Sequence, residues 1–183
     1  MPIEIVVDGT DSGGKTPCVE ALYHTFSVDR NVRTFAPFRM QEVHHLWDQE
    51  PKRAASTIRS IMDDFRHNND SADLIIWDRG WPTVWVSTAD AAARGAFLPF
   101  PDLTLLLLNS IETTNRKAEK HSLQAIWVND VALVRRYHDA YHALPREVNE
   151  INLAAFFPNG AGRYDYATIS AYARNELSWM QRK

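Results

Sequence analysis

Cysteine is almost missing from this sequence: Cys18 is the one example in 183 residues. That excludes an internal disulfide and any cysteine-built zinc module, and it fits a reducing cytoplasmic setting. No excess of positive charge is present either. Lys and Arg total 20 against 23 Asp and Glu, a formal net charge of −3, so no global basic field points to nucleic acid or an anionic membrane. A local basic groove remains compatible with that total. Long apolar runs are absent. The longest candidate membrane segment, Leu103 to Leu108, is far below the roughly 20 residues a spanning helix needs. Met1-Pro2-Ile3-Glu4 lacks the basic start and apolar stretch of a signal peptide. Repeats, low-complexity tracts and Gly/Ser-rich linkers are missing too, so residues 1–183 read as a single domain.

What is present suits a globular core: 45% hydrophobic and 23% charged residues. Short apolar runs alternate with longer stretches of helical period, the pattern of a parallel α/β sheet. Ile3 to Val7 reads as a strand buried on both faces. Further strands are expected at Val32 to Phe35, Leu74 to Trp77, Leu103 to Leu108 and within Ile151 to Phe157. Helices are expected over Lys15 to Ser27, Ala54 to Arg66, Trp81 to Arg94, Ser110 to Glu119, Asn129 to Leu144 and Tyr166 to Gln181. The expected fold is a three-layer α/β/α sandwich around a mostly parallel five-stranded sheet.

The strongest local signal is Gly9-Thr10-Asp11-Ser12-Gly13-Gly14-Lys15-Thr16, a full match to G-x-x-x-x-G-K-[ST] between an expected strand and an expected helix. Its chemistry is a phosphate cradle. Glycines let backbone N–H groups converge on phosphate oxygens, and the helix N-terminus adds partial positive charge. Lys15 is expected on the β- and γ-phosphates and the Thr16 hydroxyl on Mg²⁺, with ATP as donor. Pro17 fits a first helical turn but removes one amide there. Cys18 reads as a packing residue on the same helix.

Asp8-Gly9-Thr10-Asp11-Ser12-Gly13-Gly14-Lys15-Thr16 resembles the E-G-x-D-G-x-G-K-[ST] loop of the thymidylate kinase family, with Asp8 for Glu and Ser12 for Gly. The resemblance implies a P-loop NTP hydrolase-like fold, a helical lid near residues 110–125 and a homodimer. In that family the acidic residue inside the loop contacts the acceptor's sugar hydroxyl, a role that falls on Asp11; an Asp capping its own turn is the plainer alternative. Pro37-Phe38-Arg39 resembles a segment whose arginine faces the acceptor phosphate. Phe65-Arg66 resembles a helix whose arginine contacts the pyrimidine. Asp78-Arg79 resembles D-R-Y, with Gly80 for Tyr. Pro101-Asp102-Leu103-Thr104 resembles the strand opening before the lid, and Asn115-Arg116-Lys117 falls where the family carries lid arginines over the donor phosphates.

Physical chemistry leads the same way. Phosphoryl transfer needs cations around the equatorial oxygens and a held metal, and Arg grips phosphate bidentately. Arg39, Arg66 and Arg79 are expected to converge at the carboxyl edge of the sheet, with Asp78 at the end of a buried strand holding Mg²⁺ or its water. For each, a solvated arginine or a local ion pair is the plain alternative. Arg116, Lys117 and Lys120 fit either one basic lid face or a solvated charged helix.

Trp81 and Trp85, four apart, share one helix face. That face is either an aromatic wall for a nucleobase or ordinary packing on the sheet. Gly80 is expected to open room beside Arg79 for an acceptor larger than thymidylate. His138 and His142 share a helix face without a third metal ligand, and adjacent His44 and His45 point apart. Asn159, in the Pro158 to Gly162 turn, is either an adenine contact or a turn former.

The function expected is therefore Mg²⁺-dependent transfer of the ATP γ-phosphoryl group to a pyrimidine deoxynucleotide. The alternatives are phosphorylation of a hydroxymethylpyrimidine hydroxyl, such as 5-hydroxymethyluracil, in a nucleotide or in modified DNA, and a P-loop nucleotide sensor without acceptor chemistry. No membrane partner is expected.

Overall fold

The computed structural model describes residues 1–10, 14–39, 50–97, 100–113, 131–147 and 152–180. The chain runs β1 (Ile3–Gly9), α1 (Lys15–Phe26), β2 (Val32–Phe35), a 3₁₀ turn (Pro37–Arg39), α2 (Pro51–Asn68) and β3 (Leu74–Asp78). It continues through α3 (Trp81–Ser87), α4 (Ala91–Gly95), β4 (Leu103–Leu107), α5 (Val131–Glu147), β5 (Leu153–Phe156) and α6 (Tyr166–Met180). All strand pairs are parallel, in the order β2-β3-β1-β4-β5.

Burial explains the continuous apolar strands. On one face Ile5, Val7, Leu105 and Leu107 pack against Cys18, Leu22 and Phe26 of α1 and Ile169, Ala173 and Leu177 of α6. On the other, Val6, Ile75, Trp77 and Leu106 meet Ile58 and Met62 of α2, Trp81 and Val84 of α3, and Tyr141 and Leu144 of α5. Period-two alternation along β1 thus divides its side chains between two helical layers. The expected three-layer α/β architecture with a parallel five-stranded sheet is the observed one.

Two expectations change. The helix expected over Trp81 to Arg94 is broken at Thr88, whose backbone is extended. Asp90 starts a new helix by accepting from the Ala93 N–H at 2.8 Å. Arg94 reaches back to the Trp85 and Thr88 carbonyls, both at 2.8 Å, and so closes the end of α3. The helix expected from Ser110 to Glu119 falls largely outside the described residues.

Arg66 is the second. Late in α2, it donates to both oxygens of Glu4, which also accepts from the Trp77 indole N–H at 2.9 Å. Its guanidinium also sits 5.1 Å from the Trp77 ring centroid. Glu4 stands at the amino end of β1, five residues and roughly 16 Å along the strand from Gly9. Arg66 is therefore held at the opposite end of the sheet from the phosphate loop, and the expected convergence of three arginines does not occur. Burial pulls its pKa down, but hydrogen bonding and charge from Glu4, joined by Asp63, outweigh that and raise it.

Cys18 is fully buried. Burial first, then the Asp78 charge, pushes its thiol up to about 12. At pH 8 it is protonated in the native state, so a disulfide reagent should label it only after denaturation, checked by absorbance with and without guanidinium. Replacing Arg66 with Met strands the Glu4 carboxylate. A loss of about 2–3 kcal/mol is expected in urea unfolding.

Candidate phosphate and acceptor site

Parallel pairing sets Asp78 beside Val7 and Leu107 beside Gly9, so the carboxyl ends of β1, β3 and β4 share one edge with the start of α1. Glycine suits both described ends of the loop. Gly9 has φ 132°, and a Cβ there would stand 2.1 Å from the Leu107 carbonyl oxygen. Gly14, the N-cap of α1, is left-handed at φ 71°, and its Cβ would lie 2.3 Å from the Tyr166 hydroxyl oxygen. That hydroxyl donates to the Gly14 carbonyl at 3.2 Å. The next β4–loop contact is Thr10, whose N–H donates to Leu107 O and whose hydroxyl accepts from Asn109 N.

Lys15 is buried, with Nζ on the Gly9 and Thr10 carbonyls at 3.1 and 2.8 Å. One residue on, the Thr16 hydroxyl donates to Asp78 Oδ2 at 2.9 Å. The exposed Arg39 guanidinium reaches both, 2.7 Å from Thr16 Oγ1 and 3.0 Å from Asp78 Oδ2. A hydroxyl and a carboxylate oxygen, sharing one cation, are the oxygen donors that a hard divalent ion takes, so these residues fit Mg²⁺. Lys15, Thr16, Arg39 and Asp78 are thus brought together from three separate stretches of chain.

Arg79 follows Asp78 directly and is half-buried. It has φ 77°, the one non-glycine residue with positive φ among those described, a conformation costing on the order of 1–3 kcal/mol and typical of functional sites. Its N–H is fixed on Val7 O at 2.9 Å. Gly80 opens no room beside it, contrary to expectation. A Cβ at Gly80 would sit 2.9 Å from a Val6 methyl, so the missing side chain lets the start of α3 approach β1.

Trp81 is not an exposed wall. It is 1% exposed, donates its indole N–H to Thr104 Oγ1 at 2.9 Å and packs edge-on against Trp85 and Phe100. Trp85 in turn is covered by Arg94, 5.0 Å from its ring centroid. Packing on the sheet therefore accounts for this aromatic pair. A cavity of about 240 Å³, counting its space open to solvent, lies between Trp81, Met62, Arg59, Phe97 and the Glu4–Arg66 pair. Arg59, with a hydrogen bond to Asp63 at 3.0 Å, lines it without having been singled out in the sequence.

The remaining candidates resolve as structural groups. His138 and His142 stack at 4.3 Å and bring both Nε2 atoms to the Asn109 carbonyl, at 3.0 and 3.1 Å. Among the described residues no group of three or more His, Cys, Asp or Glu could hold a metal ion. Asn159 Oδ1 accepts from the Ala161 and Arg163 N–H groups at 3.0 and 3.1 Å, the work of a turn former. Asp11, Ser12, Gly13, His44, His45, Arg116, Lys117 and Lys120 lie outside the described residues.

Sequence reasoning gave Asp8 no role beyond its place in the loop motif. The structure buries its carboxylate among Gly9, Gly80, Thr83 and Tyr141. A carboxylate closing an apolar strand directly before a glycine was the available signal; Thr83 and Tyr141 gave none.

No helix of the described residues is long and apolar enough to cross a membrane. No protein-family model matches the sequence, and no curated protein matches it. Among solved structures, a deoxyadenosine kinase from M. mycoides, determined with the products dCMP and a flexible dCDP bound, matches with a TM-score of 0.59 and 14% identity. The match covers 96% of this chain and 99% of that one. The chain thus shares the overall α/β fold of that structure.

Proposed function

We propose that this protein is a Mg²⁺-dependent phosphotransferase that moves the γ-phosphoryl group of ATP to a pyrimidine deoxynucleoside monophosphate. The observation that carries the proposal is the convergence of Lys15, Thr16, Asp78 and Arg39 at the carboxyl edge of the sheet. Lys15 and Thr16 hold donor phosphates and metal, and Asp78 supports the metal through its carboxylate. Bound Mg²⁺ supplies charge neutralisation on the phosphate oxygens. Arg39 and Arg79 hold the acceptor, and a cation as exposed as Arg39 suits an acceptor that brings its own phosphate. By their place in the sequence, Arg116 or Lys117 is assigned to the donor phosphates, where a cation would help to exclude water. Asp11 meets the acceptor sugar, and the loop residues Gly9, Ser12, Gly13 and Gly14 line the donor phosphates.

A second reading, an alcohol acceptor, has support of its own: the structural neighbour is a nucleoside kinase, and nucleoside kinases phosphorylate a hydroxyl. The hydroxyl proton then needs a base. Asp78 is engaged by Thr16 and Arg39, which leaves Asp11 for that role. A hydroxymethylpyrimidine in a nucleotide or in DNA belongs to this class.

ATP consumption with Mg²⁺ separates the readings when it is measured over deoxynucleoside monophosphates, deoxynucleosides, hydroxymethyl-dUMP and DNA carrying hydroxymethyluracil. Diphosphate products, identified by mass, are expected with the pyrimidine monophosphates. Phosphate found on a hydroxyl instead transfers the assignment to the alcohol class. Silence across the panel with ATP binding intact leaves a nucleotide sensor. Lys15→Ala should lower kcat/KM by about 10²- to 10³-fold. Asp11→Asn should abolish alcohol phosphorylation but only weaken acceptor binding in a nucleotide kinase.

A further inference from the structure

Asp8 carries a fully buried carboxylate that the phosphate chemistry above does not use. Its Oδ1 accepts from the Gly9 N–H at 2.8 Å, the Thr83 hydroxyl at 3.0 Å and the Tyr141 hydroxyl at 3.1 Å. Its Oδ2 accepts from the Gly80 N–H at 3.0 Å, the Thr83 N–H at 3.0 Å and, more closely, the same Thr83 hydroxyl at 2.8 Å. The two hydroxyls are themselves 3.0 Å apart. These donors come from four places: the entrance of the phosphate loop, the turn that carries Arg79, the first turn of α3, and α5.

The pattern has a local cause. Helix α3 lacks a cap of its own, because its N-cap is Gly80 and one of its first-turn residues, Pro82, has no N–H. Asp8 supplies the missing acceptor from a different strand, as an N-cap side chain would do from within the helix. The amides on either side of the Arg79 peptide are thereby tied to β1: Arg79 N–H to Val7 O and Gly80 N–H to Asp8. A left-handed non-glycine residue persists only where its surroundings over-determine it, and these two bonds provide that at Arg79.

We propose that Asp8 is a positioning residue for phosphoryl transfer, holding Arg79 in its left-handed conformation through the start of α3. The Tyr141 hydroxyl ties this setting to α5, the helix that follows residues 114–130 in the chain. The effect on turnover rests on the kinase function proposed above; the positioning of Arg79 does not. An acceptor-only carboxylate suits this donor set, and Asn at position 8 would turn an NH₂ group against N–H donors. Asp8→Asn therefore tests folding more than positioning, and the informative variants lie on the partners.

Thr83→Val, Thr83→Ser and Tyr141→Phe are compared with wild type by amide hydrogen exchange and by steady-state kinetics with the best acceptor of the panel. Thr83→Val should accelerate exchange at Arg79 and Gly80 about tenfold with β1, β3 and β4 unchanged, and Thr83→Ser should restore it. Tyr141→Phe should accelerate the same amides about threefold. In both Thr83→Val and Tyr141→Phe, kcat should fall about tenfold while the ATP KM stays within about twofold, a split that general destabilisation would not produce. Unchanged exchange at Arg79 and Gly80 overturns the proposal, as does faster exchange with kcat intact. Should Thr83→Val lose protection throughout the sheet, Tyr141→Phe decides by the same two readouts. Faster exchange in a protein whose wild type phosphorylates nothing in the panel retains the positioning and removes the kinase function.

Discussion

The site depends on the parallel register of β1 against both of its neighbours. Because β1 is the central strand, its last residues are flanked by the ends of β3 and β4, and one edge of the sheet collects the phosphate loop, Asp78-Arg79 and Asn109. A one-residue slip of β1 would exchange its two faces. Val7 would then leave the α1–α6 core, and Asp8 would leave its cradle of donors. The packing that stabilises the fold and the geometry that places the charges are one constraint.

Charge at that edge is balanced locally. Lys15 is satisfied by loop carbonyls, Asp78 by Thr16 and Arg39, and Asp8 by amides and hydroxyls. A second ionic pair, Glu4 with Arg66, lies on the same face of β1 toward its amino end. Its partners make it part of the core wall, with Trp77 completing the Glu4 carboxylate. Two carboxylates four residues apart on one strand thus do different work: one is neutralised by a guanidinium, the other by a turn that must hold a strained residue.

The architecture was legible in the sequence because its signals are local. Apolar runs gave the strands, helical periodicity gave most of the helices, and the glycine–lysine loop marked the edge where chemistry gathers. Thr16, Arg39 and Asp78 could be grouped because each follows directly on a strand or loop end. Arg66 could not be placed: its fate depends on Glu4, 62 residues away, and no periodicity records that pairing. Trp81 was ambiguous for a similar reason, since only the Thr104 hydroxyl and its aromatic neighbours distinguish a core indole from an exposed one. Gly80 misled because an absent side chain reads as space, whereas Val6 fills that space. Thr83 and Tyr141 meet Asp8 only through the tertiary fold, so no sequence pattern carried them.

The left-handed backbone at Arg79 divides two selective pressures acting on a single codon. Glycine adopts that conformation without steric cost, so variation screened only for foldedness is free to drift away from arginine there. If Arg79 serves the acceptor as proposed, screening for activity keeps the guanidinium despite its strain. Position 79 is thus a place where stability engineering by relief of backbone strain removes the group the strain presents.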